Sequence, residues 1–248
     1  MTPPARFVPL LIRARLAGGI AHATPWGIAL DGLLASEIWH TRKAALHEAG
    51  QATPSLAEAD DPEDLDLPLA RCPGAGGPIW HWAATCSFPE GLPAGMPDVR
   101  YWTGRLDPRA AEHTAERLPA RIPERQGRYR ARNMPLLVTV TPSVTWHAVG
   151  DPDAIRRILA GIRAIGKKRS HGEGHVLSWD ITPVSLTPWA AAHLHPDGTL
   201  GRPAPPGCLE GRADITDSGP GTAGLRPPYM HPGRQHLLRL PACPDSWP

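Results

Sequence analysis

The spacing of apolar residues changes period in a fixed order along this chain, and that order restricts its fold more than any other feature. Residues 9–16 (PLLIRARL) alternate apolar and basic side chains, as a strand does when one face is buried. Over residues 26–49 the step lengthens to three and four: Ile28, Leu30, Leu33, Leu34, Ile38, Trp39 and Leu46 fall on one helical stripe. His40, Arg42, Lys43 and His47 sit in the later turns, where cations favour the helix dipole. Residues 79–88 read as a strand. Residues 135–147 (PLLVTVTPSVTWH) alternate again, with Pro142 near an edge or bend. Asp151 and Pro152 then open a second helix with proline just inside its start, and Ile155, Ile158, Leu159, Ile162 and Ile165 form its stripe. A loop at 166–174 and a strand at 176–186 complete the series. Strand, helix, strands, helix, strand predicts an α+β fold with a ferredoxin-like (RRM-like) β-α-β-β-α-β core. The expected organisation is a single domain over residues 1–248, with 98–132 inserted and 187–248 as an irregular, loop-rich C-terminal extension.

The insertion stands out by charge. Residues 98–132 carry nine arginines against five acids, while the whole chain is only +2. Few apolar residues interrupt the stretch, so it reads as an exposed arm. Arg128, Tyr129, Arg130 and Arg132 place cations and a planar ring in one short run; in a strand the three arginines would share a face. Phosphate contacts plus planar side chains are what a single-stranded RNA needs from a protein.

The second feature is IRAIGKKRSHGEGHV, residues 162–176. The sequence predicts that the helix ends at Gly166 and that Lys167, Lys168, Arg169, Ser170 and His171 follow, with Gly172 and Gly174 closing the turn. Glycines let a backbone approach a phosphate, and turn N–H groups can cradle an anion. The order is not that of a Walker P-loop or a Rossmann turn, because the loop follows a helix instead of opening one. A solvated helix end explains the same residues without any ligand.

Other chemistry is thinly represented. Proline (31) and glycine (25) are abundant, which implies many irregular connections; Trp (9) far outnumbers Phe (2). Four cysteines (Cys72, Cys86, Cys208, Cys243) include no C-x-x-C pair and do not read as a disulfide framework. A Cys72–Cys86 bridge is conceivable, and a Cys72–His81–Cys86 metal site lacks an evident fourth ligand; no metal and no cofactor are expected. His193 and His195 read as a surface pair in a Pro/Gly loop. No Ser-His-Asp order or H-E-x-x-H motif is visible. The N-terminal residues do not read as a signal peptide, and no apolar run approaches the length of a membrane span, so a cytoplasmic protein without membrane contact is expected.

A helix, a glycine-rich basic loop and a strand in succession resemble the signature of the RAMP superfamily of CRISPR-associated RNA-binding proteins. Four segments narrow the resemblance: PLLIRARLAGGIAH…WGIALDGLLASEIW, GRYRARNMPLL, AIGKKRSHGEGHVLSWDI and GLRPPYMHP. In that order they resemble the Cas-five-like subunit of type IV CRISPR–Cas effector complexes over about residues 9–245. The resemblance implies a ferredoxin-like RAMP core with an inserted β-hairpin thumb at or beside residues 98–132. It implies a subunit that caps the 5′ handle of a guide RNA, contacts the backbone filament and large subunits, and meets target DNA only indirectly, in defence against or competition with mobile genetic elements. Lys167, Lys168, Arg169 and His171 match the family's basic positions by place. Met230 departs from it, standing where an aromatic residue is expected. Relatives include metal-independent ribonucleases, so an endoribonuclease using His171 beside Lys167 and Lys168, with His22 or His40 nearby, is one alternative. An assembly subunit whose arginines meet acidic partners is another. The expected answer is a non-catalytic RNA-binding subunit.

Overall fold

The computed structural model describes residues 7–54, 60–72, 79–91, 98–104, 113 and 130–242. Strand β1 (Val8–Leu16) leads to helix α1 (Leu30–Glu48), a short hairpin of β2 (Arg71–Cys72) and β3 (His81–Trp82), and strand β4 (Phe88–Glu90). Strands β5 (Asp98–Gly104) and β6 (Arg132–Val138) form a second hairpin. Then come β7 (Ser143–Gly150), helix α2 (Pro152–Leu159), β8 (Val176–Pro183) and helix α3 (Pro188–His193), followed by the hairpin β9 (Asp217–Gly224) and β10 (Gln235–Pro241).

The main sheet runs β4-β7-β1-β8, antiparallel throughout. The units β1-α1-β4 and β7-α2-β8 therefore interleave, which is the ferredoxin-like arrangement expected from the periodicities. Alternation along β1 explains its position: Leu10, Ile12, Ala14 and Leu16 all point into the core and are essentially fully buried. Register places Ile12 between Trp146 and Ile181, and Ala14 between Val144 and Trp179. Leu30, Leu33 and Leu34 of α1 and Ile155 and Leu159 of α2 close the same core. Two indoles of the core region pair their N–H: Trp146 donates to the Ile28 carbonyl (2.7 Å) and Trp179 to the Ile162 carbonyl (3.1 Å).

Strand β7 is buried at every residue, so neither face of it is open to water. Its second face is covered by α3: Val149 packs on Ala191 and Ala192, and the His147 ring bonds the Leu194 carbonyl through Nδ1 (2.9 Å). Thus part of the extension expected to be irregular forms a second layer on the sheet. The Gly/Pro-rich β9 carried no periodic signal, and its pairing with β10 supplies the order that its side chains do not.

Three other expectations are corrected. Residues 79–88 are not one strand but two short pieces separated by an irregular segment. Residues 135–147 divide at 139–142 between β6 and β7, with the break falling at Pro142 and its neighbours. The second helix stops at Leu159, ahead of Gly161, although Ile162 and Ile165 remain buried in the irregular segment that follows. Its start is as read: Asp151 Oδ1 accepts from the N–H groups of Asp153 (2.9 Å) and Ala154 (3.1 Å). No helix among the described residues is long and apolar enough to cross a membrane.

Candidate nucleic-acid interface

The 166–174 loop is a closed unit. Ile165 N–H donates to the Gly174 carbonyl (2.9 Å), Val176 N–H to Arg163 (2.9 Å), and Lys167 N–H to Ala21 (2.9 Å). Arg169–His171 make one 3-10 turn between them. Gly166 has φ +87°, and a Cβ there would lie 2.5 Å from the Ala21 carbonyl oxygen. Gly174 has φ +65°, and a Cβ would run into the Ile165 carbonyl. These two positions require glycine on both counts. Lys168 is left-handed as well, at φ +59°, a conformation that costs a lysine about 1–3 kcal/mol unless its surroundings hold it.

Those surroundings come from the β5–β6 hairpin. Lys168 Nζ stands 3.0 Å from the centre of the Trp102 ring. Trp102 Nε1–H donates to His171 Nε2 (2.6 Å), and the two rings meet edge to face at 86°. An indole nitrogen only donates, so His171 Nε2 is the acceptor and the ring proton sits on Nδ1, 3.1 Å from Ser170 Oγ. Arg100 adds a second clasp, binding Glu173 (2.6 Å), Asp98 (2.9 Å) and the Gly18 carbonyl (3.0 Å). Arg132 pairs with Gly104, which places it on the hairpin face that carries Arg100 and Trp102. Arg130 is exposed just before β6, outside the strand, so among the described residues Arg132 is the one of the three expected arginines on that face. Arg128 and Tyr129 lie outside the described residues, as do the other arginines between 105 and 125.

Lys167 and Arg169, both exposed, line an open groove of about 530 Å³ together with Trp26, Leu33, Thr222, Tyr229 and Met230. Met230 is 92 % exposed at its rim. The groove wall is set by a buried polar centre. Tyr229 donates to Asp31 Oδ1 (2.6 Å), and Arg202 lies 3.6 Å from Asp31 Oδ2 while donating to the carbonyls of Trp82, Ala84 (2.7 Å) and Leu225 (2.8 Å). Burial pushes the Asp31 carboxyl up, against the pull of Arg202 and Tyr229. His22, next to Lys167, is held neutral: burial, then the lysine charge, lowers it to about 3. His40 is exposed on α1.

The structure thus brings Gly166, Lys167, Lys168, Arg169, Ser170, His171, Gly172 and Gly174 together, and adds Arg100 and Trp102, which the sequence reading did not single out. A tryptophan among arginines was the available signal.

The cysteines regroup. Cys86 is buried against Asp31 and Arg202, which leaves the Cys72–His81–Cys86 set unsupported. Cys72 and His81 instead meet His193 and Cys208, with one ligand-type atom of each within 4.8 Å of the others. His193 and His195 are buried, not a surface pair. Sharing a hydrogen bond with Cys208 draws the Cys72 thiol well below its usual range and pushes Cys208 up; burial, then Arg202, lowers His81 to about 4.

The fold and this site define a ferredoxin-like α+β protein whose basic glycine loop is clasped to an arginine-bearing hairpin. The family of CRISPR type IV associated protein Csf3 matches residues 8–239, and the chain belongs to that family. It is a type IV CRISPR-associated subunit. No curated protein matches it.

Proposed function

We propose that this subunit caps the 5′ handle of a guide RNA in a type IV effector complex and performs no chemistry on it. Residues 166–174 grip the RNA backbone, Lys167 and Arg169 neutralise phosphates, and the groove between the loop and residues 222–235 receives an unstacked base. Arg130 and Arg132 add cations beside the hairpin, and Arg128 and Tyr129 belong to the same set of RNA contacts by sequence. The hairpin acts as the thumb, and the backbone and large subunits of the complex are its protein partners.

The observation that carries this reading is the clasp of Trp102 on Lys168 and His171. It presets the loop while leaving Lys167 and Arg169 exposed beside the groove. The same contact argues against the nuclease alternative, because His171 Nε2 already accepts the indole proton and is not available as a base.

The test is to co-express the chain with its genomic neighbours, purify the complex and sequence the RNA that accompanies it. Short RNAs with a shared 5′ end, lost when Lys167, Lys168 and Arg169 are changed to Ala, are expected. Complexes that assemble without RNA would favour the assembly role, and cleavage abolished by His171→Ala with binding intact would make the protein a nuclease.

A further inference from the structure

We propose that Cys72, His81, His193 and Cys208 bind one zinc ion in a closed, structural site that pins the C-terminal extension to the β2–β3 hairpin.

The distances fit. Cys72 Sγ and Cys208 Sγ are 4.0 Å apart, Cys72 Sγ and His193 Nε2 3.9 Å, and Cys208 Sγ and His81 Nε2 3.6 Å. A tetrahedral zinc with bonds of about 2.3 Å to sulfur and 2.0 Å to nitrogen sets edges of about 3.8 Å between sulfurs and 3.5 Å between sulfur and nitrogen. These three edges need to close in by only a few tenths of an ångström, and all four atoms lie within 4.8 Å of one another.

The imidazoles are oriented independently of the cysteines. His81 Nδ1 lies 2.9 Å from the Trp82 carbonyl and His193 Nδ1 2.8 Å from the Trp189 carbonyl. A carbonyl only accepts, so both protons sit on Nδ1 and both Nε2 lone pairs face the cluster. This is the outer hydrogen bond that metal-binding histidines ordinarily make. Trp189 supports the same arrangement twice: it stacks on His193 (centroids 4.8 Å) and donates its N–H to the Cys208 carbonyl (2.9 Å).

The donor set selects the metal and its role. Two thiolates and two neutral imidazoles in a tetrahedron suit zinc, and two thiolates cancel its charge. Four protein ligands leave no position for substrate, and both histidines are fully buried. The competing arrangement is a Cys72–Cys208 disulfide. It would require the sulfurs to halve their separation to about 2.05 Å and would leave both Nε2 lone pairs facing the spent pair. The ligands are up to 136 residues apart, so the ion would cross-link the layer over β7 to the segment before β4.

The experiment uses the full chain without a histidine tag, purified after growth with zinc. Elemental analysis should give one zinc per chain, and X-ray absorption at the zinc edge should give two sulfur and two nitrogen neighbours. Cys208→Ser and His193→Gln should lose the metal, whereas Cys86→Ala should keep it. Metal-free protein carrying a Cys72–Cys208 disulfide in a non-reducing peptide map overturns the proposal, as does a zinc shell without two sulfurs. The absorption measurement needs only the unaltered chain, so it decides even where a variant fails to fold.

Discussion

Trp102 and His171, 69 residues apart in sequence, are joined by a 2.6 Å hydrogen bond from the indole N–H to Nε2. The same indole carries Lys168 on its face. One side chain of the hairpin therefore fixes two residues of the basic loop, and separate substitutions resolve the two contacts. Trp102→Phe keeps a ring for Lys168 and removes the hydrogen bond, a loss of about 1 kcal/mol at an exposed pair. Trp102→Ala removes the cation–π contact as well, adding about 0.5–1 kcal/mol. Hydrogen exchange of the 166–174 amides should accelerate modestly in the first variant and more in the second. Equal effects would mean that the hydrogen bond alone holds the loop.

The exposed cations should reveal themselves through salt. Changing Lys167 and Arg169 together to Ala should weaken RNA binding most at low salt and reduce the slope of log K against log salt by about 1.4, from about 0.7 per single-strand phosphate. An unchanged slope would remove these residues from the interface.

Two glycines with the same sign of φ should behave differently. Gly166 (φ +87°) faces the Ala21 carbonyl, whereas Gly172 (φ +88°) has nothing within 4 Å. Gly172→Ala meets only the left-handed penalty of about 1 kcal/mol. Gly166→Ala adds a backbone collision and should lower the melting temperature clearly further. Thermal melts of the two variants side by side check the order.

Acid should destabilise the fold through buried histidines. Burial lowers His195 to about 4 and His22 to about 3, both below the ordinary 6.5. Between those values the unfolded chain binds protons that the folded one refuses. Stability from these rings is complete above about pH 6.5 and falls, as pH drops toward 4, by about 1.4 kcal/mol per pH unit for each ring. Denaturant titrations across pH 4–7 should show that slope, and His195→Gln should flatten it by one proton.

Much of the fold was legible because its periodicities are local. The alternation of Leu10, Ile12, Ala14 and Leu16 gave β1 its buried face, and Asp151 and Pro152 gave α2 its start. The end of α2 was misplaced because Ile162 and Ile165 continue the apolar spacing while lying in irregular backbone past the helix, where burial does not require a helix. The cover on β7 was not legible at all: Ala191 and Ala192 are small residues in a proline-rich tail, and nothing local says which surface they meet.

The candidate sites divide along the same line. By itself the sequence determined the basic loop, since its charge and its glycines are contiguous, and a glycine at positive φ is a local demand. Only the tertiary structure decided that Trp102 would clasp that loop, that Lys167 would border a groove walled by Tyr229, and that Cys72 and His81 would find His193 and Cys208 in place of Cys86. Those partners come from separate hairpins and loops, and contacts made that way depend on how whole elements pack and not on spacing along the chain.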